Sequence, residues 1–179
     1  MTRNIICRLF LLLLLLPVCS IAQIKLEKRS LLNDKIELLV PDNFKPMTSY
    51  AITQKYPNSG QPPNLALTDE KSDVDLIIVL TPQFIQPSQM GQFKDFMIRT
   101  LKRGHPDAKW LDNGVRTVNG KNVGYFKLVT NAADQKKFVY YFFTDMDGKV
   151  LMFTFNCTES LLPKWKNTAE AIVASLKVK

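Results

Sequence analysis

Acid–base and nucleophilic chemistry needs groups that can meet at one point, and this chain supplies few of them. It has one histidine, His105, set between Gly104 and Pro106. A general base or a metal ligand at that position needs companions at ligand spacing, and none stand beside it. His105 therefore reads as a loop residue at a helix end. With one histidine so placed, the serines and aspartates have no triad to join. Asp69, Glu70, Asp73 and Asp75 form an acidic cluster. Calcium needs oxygen ligands converging on one point, usually through a glycine-containing loop, and no glycine turns the chain here. The cluster reads as a solvated entry to a strand. Asp145-Met146-Asp147-Gly148 opens like a calcium loop, but Asn156 stands where the closing glutamate belongs, so a hairpin turn is expected. The sequence assigns no catalytic residue, no metal and no cofactor.

Two constellations remain, and both depend on strand register. A two-residue turn at Asn119-Gly120 places Asp112 opposite Lys127, with Arg116 pointing to the same side. This predicts a cross-strand ion pair or, alternatively, a polar notch at the mouth of a groove. The second is an aromatic sheet face made of Phe126, Leu128, Tyr141, Phe143 and Met152. Covered by a helix it is core; uncovered it is an apolar platform for a peptide, an amphipathic helix or a lipid.

The elements that position these residues follow from periodicity and turn chemistry. Residues 23–32 are charged and amphipathic, a short helix or an extended arm. Ile36, Leu38 and Val40 alternate with polar neighbours as a strand, and residues 50–55 read as another. Residues 56–64 hold three prolines and a glycine and form a loop. A weak strand at 65–67 is followed by a stronger one at 73–80, closed by Pro82. Met90, Phe93, Met97 and Leu101 recur at helical spacing, with Ser88 as the expected N-cap and Gly104-His105-Pro106 as the stop. Four strands follow at 109–118, 123–132, 136–145 and 149–157, with turns at Asn119-Gly120, Ala133-Asp134 and Asp147-Gly148. Asn-Gly and Asp-Gly suit two-residue hairpins because both central residues take positive φ. A last helix at 163–176 carries the stripe Trp165, Ala169, Ile172, Val173, Leu176.

Turn-set register puts Phe138, Tyr140, Phe142, Leu151, Phe153, Phe155 and Cys157 on one face, joined by Tyr125 and Val129. The other face carries Val139, Tyr141, Phe143, Val150 and Met152, with Phe126 and Leu128. A sheet with one wet face alternates cleanly between apolar and polar residues, and this one does not. Each face needs a cover, and two firm helices exist to supply one each. The expected class is α+β: an α/β/α sandwich on a largely antiparallel sheet, with a four-strand C-terminal meander and helices on both faces.

The first 22 residues address the chain elsewhere. Arg3 and Arg8 flank the start of an apolar run at 9–16, and Ser20-Ile21-Ala22 closes the segment on small residues. This is the pattern of a secretory signal, too short in its apolar part for a membrane span. Cleavage after Ala22 is expected, leaving one domain at 23–179 that is periplasmic or secreted. Cleavage before Cys19 with lipid attachment is the weaker alternative, because Pro17-Val18 are not small. Removing the segment lowers the net charge from +8 to +6. That charge fits a lysine-dotted surface, or a patch for anionic lipid or an acidic partner. An exported chain rarely meets nucleic acid. Cys7 and Cys19 leave with the signal, so Cys157 has no internal partner and reads as a buried, inert thiol. Asn156-Cys157-Thr158 matches a glycosylation acceptor, relevant only in a eukaryotic secretory route.

The succession Val40-Pro41-Asp42-Asn43-Phe44, Val118-Asn119-Gly120-Lys121, Leu151-Met152-Phe153-Thr154-Phe155 and Ala171-Ile172-Val173-Ala174-Ser175-Leu176-Lys177 resembles the PsbP-like and DcrB-like proteins. The resemblance covers nearly everything after residue 22 and implies an α/β/α sandwich. It also implies binding rather than catalysis: members are photosystem extrinsic subunits, Ran-binding transport factors, envelope proteins and chaperones for secreted effectors. The signal segment argues against nuclear transport, and a photosystem role needs a photosynthetic host. The functional expectation is an exported, non-catalytic accessory or binding module acting on a protein partner in the cell envelope. The alternative is a chaperone or carrier that shields an apolar protein segment or lipid on the aromatic face. A lipid or membrane surface is a further expected partner; nucleic acid is not.

Overall fold

Two turns set the frame of the molecule. Asn119 and Gly120 have φ of +46° and +82°, and Asp147 and Gly148 have +53° and +72°. Both pairs have the positive φ at consecutive residues that a right-twisted two-residue hairpin demands. In the computed structural model, which describes residues 24–57, 60–132 and 135–179, these turns join four long antiparallel strands. These are β6 (Lys109–Val118), β7 (Lys121–Asn131), β8 (Lys136–Met146) and β9 (Lys149–Thr158). The segment 1–22 and the turn pair Ala133-Asp134 lie outside the described residues.

Ahead of the meander come β1 (Leu26–Leu31), β2 (Ile36–Pro41), β3 (Lys45–Pro46), helix α1 (Ser49–Lys55), β4 (Leu65–Thr68), β5 (Val74–Phe84) and helix α2 (Met90–Gly104). After it come α3 (Leu162–Ser175) and β10 (Lys177–Val178). Seven strands form one antiparallel sheet in the order β3-β4-β5-β9-β8-β7-β6, and three form a second, β1-β2-β10. Phe142 pairs with Phe153, Tyr140 with Phe155 and Asp112 with Lys127, in the register that the turns dictate.

The two faces sort as alternation requires. Phe142 stacks on Phe153 with ring centroids 4.6 Å apart, and Tyr140, Leu151 and Phe155 are buried beside them. Trp165, Ala169, Ile172 and Val173 of α3 pack onto this side. They do not cover it alone. Ile36, Leu38 and Val40 of the small sheet share the same core, and Ser175 Oγ accepts the Leu39 N–H at 2.8 Å, tying α3 to β2. One expected helical roof is thus a helix and a sheet together. On the other side α2 inserts Met90 and Phe93, and Phe93 meets Phe143 edge-on at 5.0 Å. Described helices include none long and apolar enough to cross a membrane.

Three local expectations give way, and one left open is settled. Residues 50–55 are helix, not strand: Thr48 Oγ1 accepts the Ala51 N–H at 3.1 Å, and Tyr56 N–H closes the other end on Ile52. That segment buries no residue, so it lacks the half-buried pattern that holds a strand. Residues 26–31 take the extended alternative, because β2 offers them a ladder. Ser88 is not the cap of α2; Gln86 N–H donates to Gln89 Oε1 at 2.9 Å within a short turn begun by Pro87. Pro82 does not end β5, which runs on to Phe84. It falls in the register break between Leu80 and Phe84, where the ladder asks for no N–H.

The meander has one close approach that only glycine permits. A Cβ added at Gly124 would lie 2.5 Å from Phe143 Cζ, a ring clamped by Phe93 and Phe126. Gly124→Ala is expected to cost about 2–3 kcal/mol by overpacking, read as a lower urea midpoint at unchanged slope. Combining it with Phe143→Leu should cost less than the sum of the two single changes; strict additivity would show that the contact is not what makes the site intolerant.

Candidate functional site

Register brings Asp112 and Lys127 face to face on β6 and β7, and α3 adds a carboxylate from above. Lys127 Nζ lies 3.2 Å from Asp112 Oδ2 and 2.5 Å from Glu170 Oε1. Arg116 donates from Nη1 to Glu170 Oε2 at 3.2 Å and from Nη2 to the Tyr140 hydroxyl at 3.0 Å. That hydroxyl donates in turn to Glu170 Oε2 at 3.2 Å. The Lys127 ammonium stands 4.7 Å over the Tyr140 ring, and the Arg116 guanidinium 5.2 Å over Tyr125. The group opens into a cleft of about 330 Å³ between α3 and the sheet, walled by Leu111, Phe138 and Leu162 and rimmed by Lys166. The sequence-predicted notch of Asp112, Arg116 and Lys127 is one assembly here. Glu170 and the Tyr140 hydroxyl are the members that sequence reasoning missed.

The electrostatics fix each group in one protonation state. Burial alone would raise the Glu170 carboxyl, but hydrogen bonding and charge from Lys127 and Arg116 outweigh it and hold the group below the usual range. Burial alone would lower Lys127, yet Glu170 and Asp112 hold it above its ordinary value. Tyr140 is pushed well up, chiefly by burial and then by the Glu170 charge. At neutral pH the cleft holds an anion, a cation and a neutral phenol. None is poised near neutrality as a general acid or base should be. The arrangement suits recognition by charge and shape.

The other candidates fall in separate places. Asp75, expected at a solvated strand entry, is 1% exposed. Lys55 Nζ reaches both of its oxygens at 2.9 Å, and Tyr56 OH and Thr68 Oγ1 donate to it at 2.6 Å each. A buried carboxylate needs such partners, and α1 and β4 supply them. Asp69 turns away to accept the Asp73 and Val74 amides. Among the described residues no three His, Cys, Asp or Glu side chains group as metal ligands. Asp145 faces Lys121 at 2.8 Å and Asp147 faces Lys35 at 2.6 Å, so the turn's two carboxylates diverge. His105 Nδ1 lies 3.3 Å from Thr130 Oγ1, and Asp107 is bonded to Asn131 instead. Cys157 is fully buried, and burial raises its thiol to about 12.

The aromatic platform needs correction. Phe126, Leu128 and Phe143 are buried under α2, and only Tyr141 and Met152 keep partial exposure. The three buried side chains are core that seats a helix and offer no surface to a guest.

With this geometry the molecule can be set beside known proteins. No protein-family profile matches the chain, and no curated protein matches it in sequence. Solved structures do match. The cyanobacterial PsbP protein, CyanoP, of Synechocystis sp. PCC 6803 aligns over 92% of this chain and 99% of its own, with a TM-score of 0.62 at 14% identity. LpqN of Mycobacterium tuberculosis, involved in cell envelope biogenesis, aligns over 80% and 83%, with a TM-score of 0.55 at 14% identity. A structure from Bacteroides thetaiotaomicron aligns over 86% of this chain and 48% of its own, with a TM-score of 0.54 at 8% identity. The fold is PsbP-like, a mixed α+β architecture of antiparallel sheets and helices, in agreement with the resemblance read from the sequence.

Two substitutions test the polar assemblies. Because Glu170 titrates below its ordinary 4.5 in the folded chain, its contribution is full above that value and is lost as pH falls through the lowered one. Glu170→Gln should cost about 1 kcal/mol at pH 7, screening at this half-open site included. The gap from wild type should close in urea titrations run progressively below pH 4.5; a gap unchanged by acid would assign the cost to packing. Asp75→Ala strands Lys55, Tyr56 and Thr68 around a missing anion and should cost about 3–5 kcal/mol, measured the same way.

Proposed function

We propose that this chain is an exported, non-catalytic accessory module that docks on a protein of the cell envelope. The carrying observation is the cleft. It places fixed charges of both signs beside β6, the edge strand of the large sheet, which leaves one row of backbone groups unpaired. Leu111 and Val115 on that edge are 42% and 44% exposed. An extended segment can add to such an edge by main-chain hydrogen bonds, with side-chain selectivity supplied by the adjoining pocket. Lys127 and Glu170, each held in one protonation state, make a recognition surface that stays constant near neutral pH.

Two further considerations support the envelope as the setting. The basic, apolar and small-residue order of residues 1–22 is that of an export signal cut after Ala22. LpqN, which shares the fold, is involved in cell envelope biogenesis. The carrier alternative has less support, since α2 packs on Phe126, Leu128 and Phe143.

A photo-crosslinking amino acid at Leu111, expressed in the source cells and compared with one at the exposed Tyr50 of α1, tests the reading. One envelope protein should be enriched at Leu111 and not at Tyr50, and Leu111→Asp should abolish its co-purification. Equal adducts at both positions, or lipid as the only product at Leu111, would overturn it.

A further inference from the structure

On the opposite side of the large sheet from the cleft, two aromatic rings stand in solvent. Phe84 is 78% exposed and Phe96 is 50% exposed. They are not scattered singly, which would need no explanation. Both line one shallow groove of about 260 Å³, floored by Ile85 and Phe93 and edged by glutamines rather than acids. Phe96 lies on the outer stripe of α2, where Gln92, Phe96, Arg99 and Arg103 follow one another at helical spacing and all are exposed. Neither Arg99 nor Arg103 has a carboxylate partner among the described residues. On the far bank of the groove, Lys149 Nζ lies 5.9 Å from the centre of the Phe84 ring. The neighbouring acids are already engaged: Asp95 by Lys94 at 3.0 Å and Asp147 by Lys35 at 2.6 Å.

From this arrangement we infer that the α2 side is a membrane-contacting face: Phe84 and Phe96 enter the interface of an anionic bilayer while Arg99, Arg103 and Lys149 meet its headgroups. The occupant follows from charge and shape. Two exposed rings stand at the banks of a shallow groove, beside arginines that have no carboxylate partner among the described residues. That combination matches the headgroup–acyl boundary, where an aromatic tip is buried shallowly and basic side chains remain with the phosphates. Neither aromatic ring nor cation stripe belongs to the cleft beside α3, so this contact is independent of the protein-docking reading. A module could hold a bilayer with one side and a protein with the other.

The test reads position, because the apolar segment at 9–16 can bring the full chain to any vesicle. Phe84→Trp, Phe96→Trp and, on the other side of the sheet, Leu111→Trp are made singly in the full chain. Each is mixed with phosphatidylglycerol vesicles carrying brominated acyl chains, and with matching phosphatidylcholine vesicles. The expected result is bromine quenching of the tryptophans at 84 and 96 above the wild-type background, strongest on phosphatidylglycerol, with little at 111. Arg99→Gln with Arg103→Gln should sharply lower the quenching at 84 and 96, and high salt should do likewise. Absence of quenching at 84 and 96, equal quenching at all three positions, or equal quenching on the two lipids would overturn the inference. Circular dichroism of each variant, unchanged from wild type, ensures that the readout reports docking rather than unfolding.

Discussion

The registration of four strands is the constraint on which everything else rests. Side chains alternate across a sheet, so a slip of one residue would exchange every inward and outward group. Here such a slip would exchange two apolar sets, and hydrophobicity alone would object only weakly. The turns therefore carry unusual responsibility. Asn119-Gly120 and Asp147-Gly148 hold consecutive residues at positive φ and leave each hairpin one way to close. Shape completes the selection: Phe143 has room only because its neighbour on β7 is Gly124. Once register is fixed, a sheet apolar on both sides must be roofed twice. α2 covers one side, and α3 with the small sheet covers the other.

Roofing also decides where polar groups can gather. α3 cannot pack Trp165 and Ile172 onto the sheet without bringing Glu170 down beside Lys127 and Arg116. The ion network is thus a by-product of helix seating that the sequence has filled with matched charges. Its members are too firmly held in one protonation state to relay protons, and they shape the border of the sheet instead. Asp75 plays a comparable part at the other end, pinning α1 to β4 and β5 through a buried carboxylate. In both places a charge is tolerated inside because several donors close around it.

What the sequence disclosed and what it hid divide along distance. The meander, its faces and the Asp112–Lys127 pair were legible because each is set by a turn a few residues away. The PsbP-like architecture was legible from the succession of such local signs. Glu170 was not: it lies 43 residues from Lys127, and nothing in a helical stripe states which flank will overhang a distant strand. The burial of Asp75 was hidden for a related reason, since Lys55 arrives at the end of a helix where the sequence suggests a strand, with Tyr56 just beyond it. The small sheet escaped notice because β10 is two residues long, below what alternation can reveal.

The order in which the strands find their neighbours bears on when the molecule can exist. Val74 pairs with Cys157, and Ile36 pairs with Val178. Asn119 Nδ2 also hydrogen-bonds the Leu176 carbonyl, so even the first hairpin of the meander is latched from far downstream. Until β9 and β10 have left the ribosome, β5 has β4 on one side only and β2 has β1 on one side only, and the early half of the chain has no finished core to collapse onto. Such non-local closure is slow. This wiring postpones compaction until the last strands of the chain have been made.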